Sequence, residues 1–120
     1  MLTEFGKTLR KLRIDNGEVL KNMAEKLGCT ASYLSAVETG KRSIPNDWIE
    51  KIIALYNLSI DAAEDFREVT MKELRTIKID LDDFLGVKKE TAVLFAREFS
   101  DVDDATAEQI RKLLKKSGGE

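Results

Sequence analysis

The residues best equipped for chemistry lie between Leu20 and Ser43, and their side chains suit binding rather than bond-making. That window holds hydroxyls, an amide and cations: Lys21, Asn22, Thr30, Ser32, Tyr33, Ser35, Thr39, Lys41, Arg42 and Ser43. What the chain lacks is equally informative. None of its 120 residues is a histidine, so the usual neutral-pH general base and the commonest metal ligand are missing. Cys29 is the only cysteine; it cannot pair within the chain and reads as a small core residue. No nucleophile–base pair, phosphate loop or metal set is present, which argues against an enzyme and calls for no cofactor. The acidic clusters at 80–83 and 101–104 lack the carboxylate and glycine spacing of a calcium loop and read as solvated turns and helix N-caps.

The elements that position the window follow from apolar spacing. Leu2, Phe5, Leu9, Leu12 and Ile14 recur at three and four, predicting a helix over 3–16 that stops at Asn16-Gly17. A second run, Val19, Leu20, Met23, Ala24 and Leu27, ends at Gly28, a residue suited to the left-handed conformation that closes a helix. Thr30 then sits at an N-cap position, with Tyr33, Leu34 and Val37 at helical spacing and Gly40 as a stop, so a third helix spans 31–39. Lys41 to Pro45 is a basic loop. Asn46 or Asp47 caps a fourth helix whose stripe of Trp48, Ile52 and Tyr56 is core, and a fifth runs from Ser59 or Asp61 to Arg75.

From Leu20 to Thr39 the spacing is that of a helix-turn-helix. Ala24 is small where the third helix crosses the second, and Gly28 makes the turn four residues on. Met23, Leu27, Cys29, Leu34 and Val37 are the apolar positions that lock the pair together. Beyond the fifth helix the period changes. Ile77, Ile79 and Leu81 alternate with Lys78 and Asp80, predicting one short strand, which would pair with a copy of itself in a second subunit. After Gly86, the residues Ala92, Val93, Phe95, Ala96 and Phe99 line one helix, and Ile110, Leu113 and Leu114 line another over 105–115. Ser100 to Asp104 connects them into a hairpin.

The segment GCTASYLSAVETGKRSIP resembles the Xre family, the lambda-repressor-like helix-turn-helix proteins of phages and bacteria, above all in SYLS, E-x-G-K-R and the following proline. The resemblance covers about residues 3–58, and a weaker one extends through 77–116. It implies an all-α chain: a five-helix DNA-binding domain over 1–76, then the strand and helical hairpin over 77–116 as a dimerisation extension. A disordered tail is expected over 117–120. It further implies a dimer on a palindromic operator in double-stranded DNA, usually acting as a repressor. Carried over residue by residue, Ala31, Ser32, Ser35 and Ala36 take the positions that face base edges in the major groove, with Thr30, Tyr33 and Thr39 at the edges of that helix. The first four are all small, so readout would rest on thymine methyl packing, short hydroxyl contacts and DNA shape. Relatives commonly start the second helix with a phosphate-gripping glutamine; here stands Leu20, leaving Lys21 and Asn22 to supply the grip. Lys41, Arg42 and Ser43 follow the recognition helix and reach phosphates beside the groove, and Arg13 and Glu38 match the pair that forms a salt bridge orienting that helix.

Charge divides along the chain. Up to Leu58 there are nine Lys and Arg against seven Asp and Glu; from Ser59 there are eleven against fifteen, so the overall −2 hides a positive first half. The acidic second half is expected to face away from DNA. Its apolar residues, Ile77, Ile79, Leu81, Val93, Phe95, Phe99, Ile110, Leu113 and Leu114, are the candidate homodimer contacts. No apolar run approaches the roughly 18 to 20 residues of a membrane span, and the start is neither a signal nor a transit sequence, so the cytoplasm is expected. Two other readings stay open: an antitoxin that autoregulates its promoter, and a protein-interaction module built on the same helices. No small-molecule pocket is evident, which leaves release from DNA to an antirepressor, a toxin or a protease.

Overall fold

The computed structural model describes residues 1–117 and is helical wherever it is regular. Its elements are α1 (Glu4–Asp15), α2 (Leu20–Leu27), α3 (Ala31–Glu38), α4 (Trp48–Leu55), α5 (Ile60–Glu73), α6 (Gly86–Glu98) and α7 (Asp104–Ser117). Short 3₁₀ turns at Leu81–Asp83 and Phe99–Asp101 precede and follow α6. Local chemistry starts several of these helices. The hydroxyls of Thr3, Thr30 and Ser59 accept the N–H groups of Gly6, Tyr33 and Ala62, satisfying donors that a helix start leaves open.

The chain divides into two compact units, Met1–Lys78 and the stretch from Ile79 onward. In the first, α1 to α5 enclose a core in which Phe5, Leu9, Met23, Leu27, Leu34, Val37, Trp48, Ile52 and Phe66 are buried. Aromatic packing ties distant segments together. Phe5 of α1 meets Phe66 of α5 with ring centroids 5.9 Å apart, and Tyr33 of α3 stands edge-on to Trp48 of α4 at 6.0 Å. The stripe of α4 is therefore core at Trp48 and Ile52, while Tyr56 is half-buried and its hydroxyl is bonded to Glu18. Cys29 packs against this core, and burial pushes its thiol up from the ordinary value, so it stays protonated at neutral pH.

One expectation is overturned. Among the described residues there is no strand, and the stretch 77–81 is not the short β element that the alternation of Ile77, Ile79 and Leu81 predicts. Extended backbone runs only as far as Asp80, whose carboxylate accepts the Asp82 N–H at 2.9 Å and starts a 3₁₀ turn at Leu81. The physical reason is the missing ladder. A two-residue period describes an extended chain with two unlike faces, but a strand exists only where a neighbour takes its N–H and C=O groups. No neighbouring strand does so here, and the side chains of Ile77 and Ile79 are 70% and 57% exposed. A local substitute serves instead. With its amide turned to the orientation its neighbours require, Asn46 donates to the Thr76 carbonyl at 2.9 Å and accepts the Lys78 N–H at 2.8 Å.

The second unit is built differently. Its α6 and α7 are joined through the turn at Phe99–Asp101, and the Asp103 carboxylate accepts the Thr106 N–H at 2.8 Å at the start of α7. Hydrogen bonds from Thr106, its side chain first and this N–H second, hold the Asp103 carboxyl below its ordinary range. No side chain of α6, α7 or the two 3₁₀ turns is fully buried. Of the tail placed at 117–120, Ser117 ends α7, and 118–120 lie outside the described residues.

Candidate nucleic-acid interface

The site begins at a tight turn. Gly28 closes α2 in the left-handed region, φ 75°, and the chain re-enters a helix three residues later at Ala31. α2 and α3 pack directly against each other, with Met23, Ala24, Leu27, Leu34 and Val37 buried between and beside them. The inward face of α3 is thus spent on the core, and its outward face carries Ser32 and Ser35, both exposed. Ala31, Tyr33, Ala36 and Thr39 are half-buried at the margins of that face, with Ala31 and Tyr33 also packed against the core. Thr39 turns its hydroxyl back onto its own helix, donating to Ser35 and Ala36 carbonyls at 3.1 and 3.3 Å.

Around this face lie the donors expected to meet a polyanion. Lys21 and Asn22 are exposed in the first turn of α2. The Asn22 side-chain oxygen accepts the Val19 N–H at 2.8 Å and secures the helix start, which leaves its amide N–H groups for an outside acceptor. Beyond α3, Lys41, Arg42 and Ser43 are exposed, while the backbone N–H groups of Lys41 and Arg42 both reach the Ala36 carbonyl, at 2.9 and 3.2 Å. The loop is therefore anchored to the last turn of α3 and leaves its side chains outward.

Two devices hold α3 from behind. Arg13 and Glu38 form a bidentate ion pair, Nη1 to Oε2 at 2.5 Å and Nη2 to Oε1 at 3.1 Å, with side chains only 9% and 3% exposed. Two parallel N–H···O bonds between planar groups fix orientation as well as distance. The other device is a close backbone crossing that spacing did not reveal. A Cβ placed on Gly6 of α1 would lie 2.2 Å from the Glu38 carbonyl oxygen, so only glycine allows α1 this near. That same oxygen, left open at the end of α3, accepts both the N–H and the hydroxyl of Thr3, each at 3.0 Å.

A polar brace supports α2. Glu18 pairs with Lys26 and accepts the Tyr56 hydroxyl at 2.6 Å, while the Lys26 ammonium stands 4.7 Å from the Tyr56 ring centroid. The Lys26 and Tyr56 hydrogen bonds hold the Glu18 carboxyl below its ordinary range; burial, then the neighbouring carboxylate, pushes the Tyr56 phenol up. Lys51 of α4 donates to the Leu27 carbonyl at 3.0 Å and closes the end of α2. The joined segment at the end of α5 was likewise missed: Arg75 Nη2 donates to the Gly40 carbonyl at 2.5 Å, and Glu73 accepts the Phe5 N–H at 3.4 Å. Basic and acidic residues near the end of a helix carry no sequence signal for such contacts, 35 and 68 positions away.

Two crossed helices on a glycine turn, the second with one face locked inward and the other open, define a helix-turn-helix. Comparison with known proteins agrees. A family described as a helix-turn-helix domain matches residues 4–66. The HTH-type transcriptional regulator ImmR of Bacillus subtilis (strain 168) is 30% identical over 112 residues, covering 92% of this chain and 88% of that protein. The HTH-type transcriptional regulator SinR of the same organism is 30% identical over 67 residues, 55% of this chain and 60% of its own length. No solved structure matches. The chain belongs to the Xre-type helix-turn-helix family, a family of DNA-binding transcriptional regulators.

Proposed function

We propose that this protein regulates transcription as a homodimer bound to a palindromic operator, in the manner of a repressor, with α3 in the major groove. One observation carries the reading: the outer face of α3 presents small hydroxyl side chains to solvent, Ser32 and Ser35, while its inner face is clamped by Arg13–Glu38 and the Gly6 crossing. A surface helix with nothing to bind has no need of so rigid a seat. In this reading Ala31, Ser32, Ser35 and Ala36 meet base edges, Thr30, Tyr33 and Thr39 line the groove, and Lys21, Asn22, Lys41, Arg42 and Ser43 hold phosphates. Short side chains make few bidentate contacts, so DNA shape supplies much of the selectivity.

The second unit supports the dimer. It leaves Val93, Phe95, Phe99, Leu113 and Leu114 exposed, and a pair of helices without one buried side chain gains too little from its own packing to offset the entropy of ordering. A second copy would cover these residues together with Ile77, Ile79, Leu81 and Ile110, and a dimer matches operator half-sites that lie roughly 34 Å apart on one face of the duplex. No helix among the described residues is long and apolar enough to cross a membrane. The same exposed faces favour one other reading, in which a protein partner such as a toxin or antirepressor takes the place of the second copy.

The test is a salt titration on DNA from upstream of the gene, beside sedimentation of the free protein. A dimer touching roughly 6 to 10 phosphates loses on the order of 10³ to 10⁵ in affinity between 50 and 200 mM salt. An affinity independent of salt, or a monomer at every concentration, overturns the proposal.

A further inference from the structure

We infer that Arg75, beyond the end of α5 and outside the helix-turn-helix, is a phosphate-contacting residue that extends the DNA interface beside the Lys41–Ser43 loop. The inference rests on the DNA-binding reading above and adds a contact that neither the motif nor the matched region, 4–66, includes.

Geometry is the first support. α5 stops at Glu73, and Arg75 follows in extended chain with its guanidinium on the Gly40 carbonyl at 2.5 Å. Gly40 immediately precedes Lys41 and Arg42, so three cations converge on one short stretch of backbone. Arg42, Ser43 and Arg75 share with Thr3, Gly40 and Glu73 the lining of an open cleft of about 230 Å³. Two arginines and a hydroxyl facing one cleft is the donor set that a phosphate group takes.

The position is also held rather than sampled. Glu73 accepts the Phe5 N–H, and Asn46, with its amide turned to the orientation its neighbours require, bonds the backbone of Thr76 and Lys78, so the chain on either side of Arg75 is held in place. A guanidinium has five N–H donors. Among the described residues the Gly40 carbonyl is the one acceptor that Arg75 meets, and the side chain is exposed, so most of its donors remain for an outside anion. Glu73 is the single carboxylate in the cleft. Its Oε1 faces the α1 amide of Phe5, at the positive end of that helix, which offsets its repulsion of a phosphate.

A phosphate contact is independent of sequence, so a random-sequence DNA duplex is a sufficient probe. The slope of log K against log salt is measured for the wild type, Arg75→Gln, Arg75→Lys and Arg67→Gln, with thermal melting of each. Arg67 is paired with Glu50 and takes no part in the cleft, so its variant keeps the wild-type slope. Arg75→Gln is expected to shallow the slope by about one unit per bound head, and Arg75→Lys to restore most of it. Parallel lines for wild type and Arg75→Gln overturn the inference, whether affinity is unchanged or uniformly lower, because the latter is what a mere latch on Gly40 would give. Absence of salt-dependent binding in the wild type overturns the DNA-binding reading itself. Should Arg75→Gln fail to fold, arginine-directed dicarbonyl modification of the wild type decides: saturating duplex must slow modification of Arg75, and an unchanged rate overturns the assignment.

Discussion

The two units of this chain differ in what holds their helices. In the first, a core from Phe5 to Phe66 is closed over by helices whose approach is set by a glycine, a bidentate buried ion pair and hydroxyl caps. From Ile79 onward there are two well-formed helices and no fully buried side chain in either. Helix formation and folding are therefore separable within one polypeptide. Periodicity, with the Asp103 cap at the start of α7, makes α6 and α7 helical, but only burial makes a unit independent, and no side chain of either helix is fully buried.

The largest effect should come from breaking the ion pair behind α3. Arg13→Ala leaves the Glu38 carboxylate buried and uncompensated, at a cost of about 3–5 kcal/mol, read as a shift of the urea midpoint. An Arg13→Met, Glu38→Leu double variant recovers most of that loss, because removing both charges removes the desolvation cost as well. An Arg13→Ala protein with an unchanged midpoint would place the rigidity of the first unit elsewhere.

Gly6→Ala comes next. Alanine gains up to about 1 kcal/mol in helix propensity. It also thrusts a methyl against the Glu38 carbonyl, 2.2 Å away, and overpacking of this kind costs about 1–3 kcal/mol. The crossing wins. The expected outcome is a lower melting temperature together with weaker DNA binding, since α3 must move to make room.

In the second unit the same kind of change should leave melting of the first untouched. Leu113 and Leu114 are 67% and 63% exposed, so Leu113→Ser with Leu114→Ser removes no contact needed to fold α1 to α5. If the proposed dimer forms through this unit, the change weakens it roughly tenfold or more in sedimentation, since burying a leucine contributes about 1.5–3 kcal/mol. A loss of cooperative unfolding instead would mean that the two units share a core.

The smallest effect concerns the brace at α2. The Glu18 carboxyl is held below its ordinary value of 4.5 by Lys26 and Tyr56, so its contribution is fully present above that value and is lost as pH falls through the lower folded value. Lys26 is 42% exposed, and solvent screening keeps the gain well below about 1 kcal/mol. Melting curves of Glu18→Gln and wild type should differ slightly at neutral pH and converge in acid. A gap that widened below pH 4.5 would reverse the sign of this linkage.

Much of the first unit was legible because its signals are local. Thr30 and Ser59 announce helix starts, Gly28 announces the turn, and apolar spacing picks out the inner faces except at Ile14 and Val19, which are exposed. What could not be read depends on partners far along the chain. Gly6 looks like a weak helix residue until α3 is laid across it. Arg75 and Glu73 look like solvated charge until Gly40 and Phe5 arrive beside them. Ile77 to Leu81 shows the reverse error: a period of two predicted a strand, yet pairing depends on a neighbour that the period does not encode.

The Thr3–Glu38 contact has a consequence for altering what this protein binds. The seat of α3 there is made of main-chain atoms and one threonine hydroxyl, none of which belongs to the solvent-facing positions. Exchanging Ser32 or Ser35 for longer side chains therefore leaves the mounting intact. On the proposed reading, preference can then be rewritten at a few outward residues without retuning the frame that carries them.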